Sequence, residues 1–174
     1  AQLVLAAVLA NRIRPLSVIC FEANPIFAQP CDGPFPWRPD IEAMVERFEL
    51  ALAEGNPEAA SIIIDFYSRP GTFVFMPEKV RAFCRATAKS NLRDWHSAAT
   101  FTPPFKAFAA VDLPVTLVRG GETPAPIIDV TQQLVANIPN AKERVVAGAD
   151  HFLISTHPAA CAEIIEAHIY DVSR

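Results

Sequence analysis

The chain has 174 residues, of which 51% are hydrophobic and 20% are charged, and its formal net charge is -4. This size and balance predict one globular domain with a sizeable core. The basic residues do not cluster, so we expect no nucleic-acid partner. No apolar stretch approaches the roughly 20 residues of a membrane span, so we expect no membrane partner and a cytoplasmic location.

The four cysteines are widely scattered, with no CxxC pair and no Cys/His pattern of metal-ligand spacing. A zinc site normally requires such spacing because four ligands must converge on one ion. We therefore expect no metal ligand among these residues, and no organic cofactor is implied.

The sequence opens in the middle of a helical pattern, which covers residues 1–12 and ends before Arg14-Pro15. No Ser, Thr, Asp or Asn precedes it to cap a helix start. We therefore expect the chain to be a fragment of a longer protein. Residues 16–21 (LSVICF) form a short apolar run typical of a buried strand, and the proline-rich residues 23–39 are expected to be irregular.

Three helical segments follow. The first covers about residues 40–54, with Asp40 as a plausible cap. The second begins near Pro57 and stops before Pro70-Gly71, and the third runs from Pro77 to about Ala98.

The pattern changes from Leu113 onward. Strand, helix, strand and helix are predicted at residues 114–119, 127–138, 143–147 and 158–169. Such alternation predicts parallel strands covered by helices, an α/β fold, in which the preceding helical block is an insertion.

The order of these features carries a family resemblance. A strand is followed by a G-x-x-x-P turn, a helix, the run IPNA, a second strand, the run GADHF and an HP pair that opens the last helix. This order resembles the C-terminal part of the α/β-hydrolase superfamily, of the kind with a helical cap. The resemblance implies a partial α/β-hydrolase fold, with residues 1–30 and 106–174 in the core and residues 31–105 in an all-helical cap.

The nucleophile of that family sits in a G-x-S-x-G turn between a strand and a helix. No such turn occurs in these 174 residues, and no variant with Asp or Cys between two glycines occurs either. The opening helix resembles the one that directly follows the turn. We therefore expect the nucleophile and the oxyanion-hole loop to belong to a longer parent, and this fragment alone to be inactive.

His151 resembles the catalytic histidine of the family. It follows the last predicted strand, at the edge of a parallel sheet where α/β folds place ligands and chemistry. A general base of this type presents one ring nitrogen to the nucleophile while an acid holds the other.

The acid is less obvious, because Thr123 occupies the position of the common family Asp in the turn 120–124. Threonine cannot carry the negative charge that stabilises an imidazolium. Two carboxylates are candidates for the role, Glu22 and Glu122. We favour Glu22, since some family members, including certain haloalkane dehalogenases, carry the acid at that alternative strand end.

The resemblance implies a hydrolase of a small, largely apolar ester-, amide- or C–C-bonded substrate, with a nucleophile-His-acid triad. Aromatic side chains from the middle of the chain are expected around its pocket: Phe27, Phe35, Trp37, Phe66, Tyr67, Phe73, Phe75, Phe101 and Phe105. The alternatives are an epoxide hydrolase or haloalkane dehalogenase with an Asp nucleophile, or a non-catalytic binding protein on the same fold, which Thr123 favours.

Overall fold

The computed structural model describes residues 2–30 and 33–173. Its strands are β1 (Val18–Phe21), β2 (Val115–Gly120) and β3 (Ala141–Val146). Its α-helices are α1 (Gln2–Leu9), α2 (Arg38–Ala53), α3 (Ala60–Tyr67), α4 (Thr72–Phe75), α5 (Glu78–Ala99), α6 (Ala125–Asn137), α7 (Leu153–Thr156) and α8 (Pro158–Val172). A 3-10 helix spans Phe105–Ala110.

The three strands form one parallel sheet in the order β1-β2-β3. Helices α2–α5 lie between β1 and β2 in the chain, and α6 lies between β2 and β3. The predicted α/β class is therefore confirmed. β3 begins at Ala141 rather than near residue 143, because Ala141 and Lys142 continue the pairing with β2 although their side chains are not buried.

Both faces of the sheet are covered by helices, as expected for parallel strands. One face contributes to a large core that includes α6, and its buried strand residues are Val18, Cys20, Val115 and Leu117. The other face packs against α7 and α8 through a smaller cluster that contains Val118, Val146, Leu153 and Cys161.

Two predicted helix starts were wrong. α2 begins at Arg38, so Asp40 lies in its first turn and Trp37 occupies the cap position. Pro39 fits this first turn because the N–H that proline lacks would have no partner within the helix. α3 begins at Ala60 rather than near Pro57, after a turn in which the Glu58 N–H bonds to the Asn56 side chain.

Three short helical segments escaped prediction: α4, the 3-10 helix and α7. Each has only four to six residues, too few to show a helical period in the sequence. α7 follows His151 almost directly and so fixes where the loop that carries this histidine ends.

Within residues 2–30 and 33–173, no helix combines the length and apolarity needed to cross a membrane. In the same ranges, no group of three His, Cys, Asp or Glu side chains is placed to hold a metal ion. Cys20, Cys84 and Cys161 are free thiols, and Cys31 lies outside the described residues.

A buried histidine ties α8 to the sheet. His168 Nδ1 lies 2.8 Å from Thr116 Oγ1 on β2, and Nε2 lies 2.9 Å from Ser17 Oγ just before β1. Burial lowers the pKa of His168 below its ordinary value of 6.5. The folded protein therefore favours the neutral imidazole at this position.

This linkage predicts acid-sensitive stability. The pKa of His168 is lower in the folded than in the unfolded state. The stability that neutral His168 contributes is therefore complete above pH 6.5 and is lost as the pH falls below that value. Denaturant unfolding at pH 7.5 and 5.5 measures how much unfolding free energy is lost between the two pH values. This loss should be larger for the natural protein than for His168→Gln. Equal losses in the two proteins would contradict this prediction.

Candidate active site

The polar residues of interest lie where the three parallel strands end. Glu22 follows β1, Thr123 lies in the turn after β2, and His151 follows β3. Because the carboxyl ends of parallel strands meet at the same edge of a sheet, residues distant in sequence are brought together there.

Glu22 and His151 form a direct hydrogen-bonded pair. His151 Nδ1 lies 3.0 Å from Glu22 Oε2, and the Glu22 side chain is almost fully buried. The Gly120 N–H donates to Glu22 Oε1 at 2.7 Å, and the Thr123 hydroxyl donates to Oε2 at 2.6 Å. Hydrogen bonds of this kind compensate a carboxylate for the loss of water.

The backbone of Glu22 is left-handed, with φ of 50°. For a residue with a side chain this conformation costs roughly 1–2 kcal/mol. The Glu22 N–H nevertheless continues the sheet pairing by donating to Val118 O at 2.8 Å. Strained backbone of this type is common at functional sites, where the surrounding structure holds it.

Gly120 brings the turn after β2 against the loop that carries His151. A Cβ at this position would lie 2.2 Å from the carbonyl oxygen of Ala149, a distance no side chain permits. In addition, the Glu122 N–H donates to the same Ala149 oxygen at 2.8 Å. The close approach of these two backbones thus requires glycine at position 120.

The second candidate acid points elsewhere. The Glu122 carboxylate pairs with Arg69, and its side chain is 45% exposed. Asp150, next to His151, accepts hydrogen bonds from the Ser68 hydroxyl and from the Phe152 N–H. Of the predicted site residues, the structure brings Glu22 and His151 together and leaves Glu122 at the surface.

Tyr67, which the sequence placed only among the aromatic residues expected around a pocket, contacts His151 directly. Its ring stacks on His151 with centroids 3.9 Å apart and an angle of 15° between the planes. Its hydroxyl oxygen accepts a hydrogen bond from Asn24 Nδ2 at 3.1 Å. No local pattern could have indicated this contact, because Tyr67 reaches the site only through the path of the inserted helices.

A cavity of about 290 Å³ adjoins Tyr67. Its lining mixes apolar and polar side chains: Gln2, Leu3, Asn24, Ile26, Tyr67, Asn91, Asp94, Trp95, Ser97 and Ala98. Of the aromatic residues expected around a pocket, Tyr67 lines this cavity, whereas Phe35, Phe73 and Phe105 are buried in the core and Phe75 is exposed. The cavity is therefore less aromatic than the sequence suggested.

Several solved structures share this architecture. A carboxylesterase of Nitrososphaera gargenis matches 99% of the chain with a TM-score of 0.71 and 16% identity, over 62% of its own length. A bromoperoxidase of Bacillus anthracis matches 96% with a TM-score of 0.70 and 16% identity, over 63% of its length. An α/β hydrolase of Sphaerobacter thermophilus is 25% identical over 83% of the chain, with a TM-score of 0.53 and 55% of its own length covered.

No family model and no curated protein sequence matches the chain. The chain covers less than two thirds of the length of the similar solved structures. The expected fold is nevertheless confirmed: the chain has a partial α/β-hydrolase fold, with parallel strands, flanking helices and a helical insertion.

The close approach at Gly120 predicts that alanine at this position destabilises the protein more than alanine at Gly121. Gly120→Ala should lower the free energy of unfolding by more than the roughly 1–3 kcal/mol typical of overpacking, since the Cβ meets backbone rather than a flexible side chain. Gly121→Ala is the matched control, because its Cβ would make only ordinary contacts, the nearest 3.5 Å from Val146 O. Denaturant unfolding of both variants measures the difference, and similar values would refute the packing argument.

Proposed function

We propose that this chain carries the base and the acid of a hydrolase triad, with His151 as the base and Glu22 as the acid. The observation that supports this most directly is the 3.0 Å contact between His151 Nδ1 and the buried Glu22 carboxylate. Fold alone does not define an activity, so the proposal depends on this pair. The solved relatives include esterases and other hydrolases, which agrees with it.

In this proposal, a serine outside these 174 residues supplies the nucleophile. Its hydroxyl would give its proton to His151 Nε2, because Nδ1 already bonds to Glu22. Glu22 would stabilise the resulting imidazolium. The serine oxygen would attack the substrate carbonyl, and His151 would pass the proton to the leaving group as its bond to that carbonyl breaks. A water molecule activated by His151 would then hydrolyse the acyl intermediate, and the proton would return to the serine oxygen.

Thr123 supports this assignment of the acid. Its hydroxyl donates to Glu22 Oε2, the same oxygen that faces His151. A threonine in the family's usual Asp position therefore orients the relocated carboxylate. This arrangement supports a catalytic role for Glu22 over the alternative of a non-catalytic binding protein.

The cavity beside Tyr67 suggests the kind of substrate. Leu3, Ile26 and Trp95 offer apolar surface, whereas Asn91 and Asp94 offer hydrogen-bond acceptors. Asn91 Oδ1 is buried and bonds to no other group of residues 2–30 and 33–173. We propose a small ester, amide or C–C-bonded substrate in a cytoplasmic setting, with an apolar body and one N–H-bearing or cationic group. Residues 31–105 would act as the cap over it.

The triad assignment is tested in the full-length protein that contains this chain. His151→Ala and Glu22→Gln should each lower kcat for short p-nitrophenyl esters by about 10³–10⁴-fold, since triad members act as a unit. Glu122→Gln should change kcat by less than about threefold, because an exposed ion pair contributes little. Full activity in both His151→Ala and Glu22→Gln would exclude the proposed pair.

The substrate proposal has its own test. Asp94→Asn should lower kcat/KM for an ester with an ammonium group by about threefold, equivalent to about 0.6 kcal/mol because Asp94 is exposed, and should spare the neutral ester of the same shape. Asp40→Asn, at the exposed start of α2, serves as the control for a change of net charge. An equal effect of Asp94→Asn on both esters would argue against a cation-binding end of the cavity.

A further inference from the structure

Three consecutive residues at the end of α3 contact the loops of the site. Tyr67 stacks on His151, the Ser68 hydroxyl donates to Asp150, and Arg69 pairs with Glu122. The inserted helices thus contact the loop that carries His151 at two residues, His151 itself and Asp150. The Arg69 contact is exposed and contributes little, so Tyr67 and Ser68 carry the interaction.

We propose that Tyr67 is a positioning residue that holds the imidazole of His151 in the orientation in which Nδ1 meets Glu22. The catalytic consequence of this role rests on the proposed function. The Glu22 bond alone leaves the ring free to rotate about the Nδ1 contact, whereas a parallel stack at 3.9 Å fixes the plane of the ring.

Tyr67 is itself held through its hydroxyl group. Its hydroxyl oxygen accepts a hydrogen bond from Asn24, which lies two residues after Glu22. Burial raises the pKa of the Tyr67 phenol, so the hydroxyl stays protonated at neutral pH. Tyr67 therefore contacts His151 with the face of its ring and contacts the turn that carries Glu22 with its hydroxyl.

The turn behind Tyr67 is also fixed. Asp65 accepts hydrogen bonds from the N–H groups of Gly71 at 2.8 Å and Phe73 at 2.9 Å. Gly71 adopts a left-handed backbone with φ of 85°, which glycine permits without strain. These contacts hold the end of α3 in place and give the stack a rigid support.

The stack also lies where positive charge would develop during the proposed reaction. The face of an aromatic ring carries partial negative charge and attracts a cation placed over it. An imidazolium that forms during the reaction would lie against the face of Tyr67. Loss of the ring should therefore lower kcat more than it changes KM, although Tyr67 also lines the cavity.

The kinetic test compares three variants of the full-length protein. Tyr67→Leu should lower kcat by on the order of tenfold, since a misplaced catalytic group loses rate steeply. Tyr67→Phe, which keeps the ring and loses the Asn24 bond, should retain most of kcat. Phe66→Leu removes the neighbouring aromatic ring, which contacts Trp95 and Tyr67 and not His151, and so measures how much kcat falls when the packing around Tyr67 changes but its ring is kept.

A second readout does not depend on activity. The ring current of Tyr67 should shift the proton NMR signals of the His151 imidazole upfield, and Tyr67→Leu should reverse this shift while Tyr67→Phe preserves it. The proposal is overturned if the signals do not move in Tyr67→Leu, if Tyr67→Leu lowers kcat no more than Phe66→Leu, or if Tyr67→Phe is as impaired as Tyr67→Leu. An unchanged kcat in His151→Ala would instead refute the proposed function, and the NMR shifts would still report whether Tyr67 orients the ring.

Discussion

The site depends on one buried carboxylate. Glu22 lies at the end of β1 and accepts hydrogen bonds from the turn after β2, at Gly120 and Thr123, while it contacts His151 after β3. The ends of all three strands therefore meet at a single side chain. A buried charge without these partners would be costly, so each donor constrains the position of the others.

This constraint accounts for the unusual features around Glu22. Its backbone is left-handed while its side chain bonds to the turn after β2, and the glycine at position 120 lets that turn approach the loop of His151 closely. Thr123, which cannot serve as an acid, donates to the carboxylate that takes that role in our proposal. The strain at one residue is thus offset by hydrogen bonds from two loops.

Much of the fold could be predicted from the sequence. The strand–helix alternation after Leu113 predicted a parallel sheet, and the apolar runs located β1 and β2 to within two residues. Helix starts near prolines were less certain, since Pro39 and Pro57 fit both a first turn and the turn before it. The short helices α4 and α7 gave no periodic signal. The site was predicted in part, because Glu22 and His151 each follow a recognisable strand.

The sequence by itself determined that this chain is an α/β protein, that its motifs resemble those of the α/β-hydrolases, and that His151 and two carboxylates were its candidate polar groups. Local pattern suffices for these statements because strands, turns and helices are read from adjacent residues. Only the tertiary structure decided that Glu22 faces His151, that Glu122 pairs with Arg69, and that Tyr67 stacks on the imidazole. The physical reason is that these contacts join residues far apart in the chain, and strand order and the path of the inserted helices set their distances.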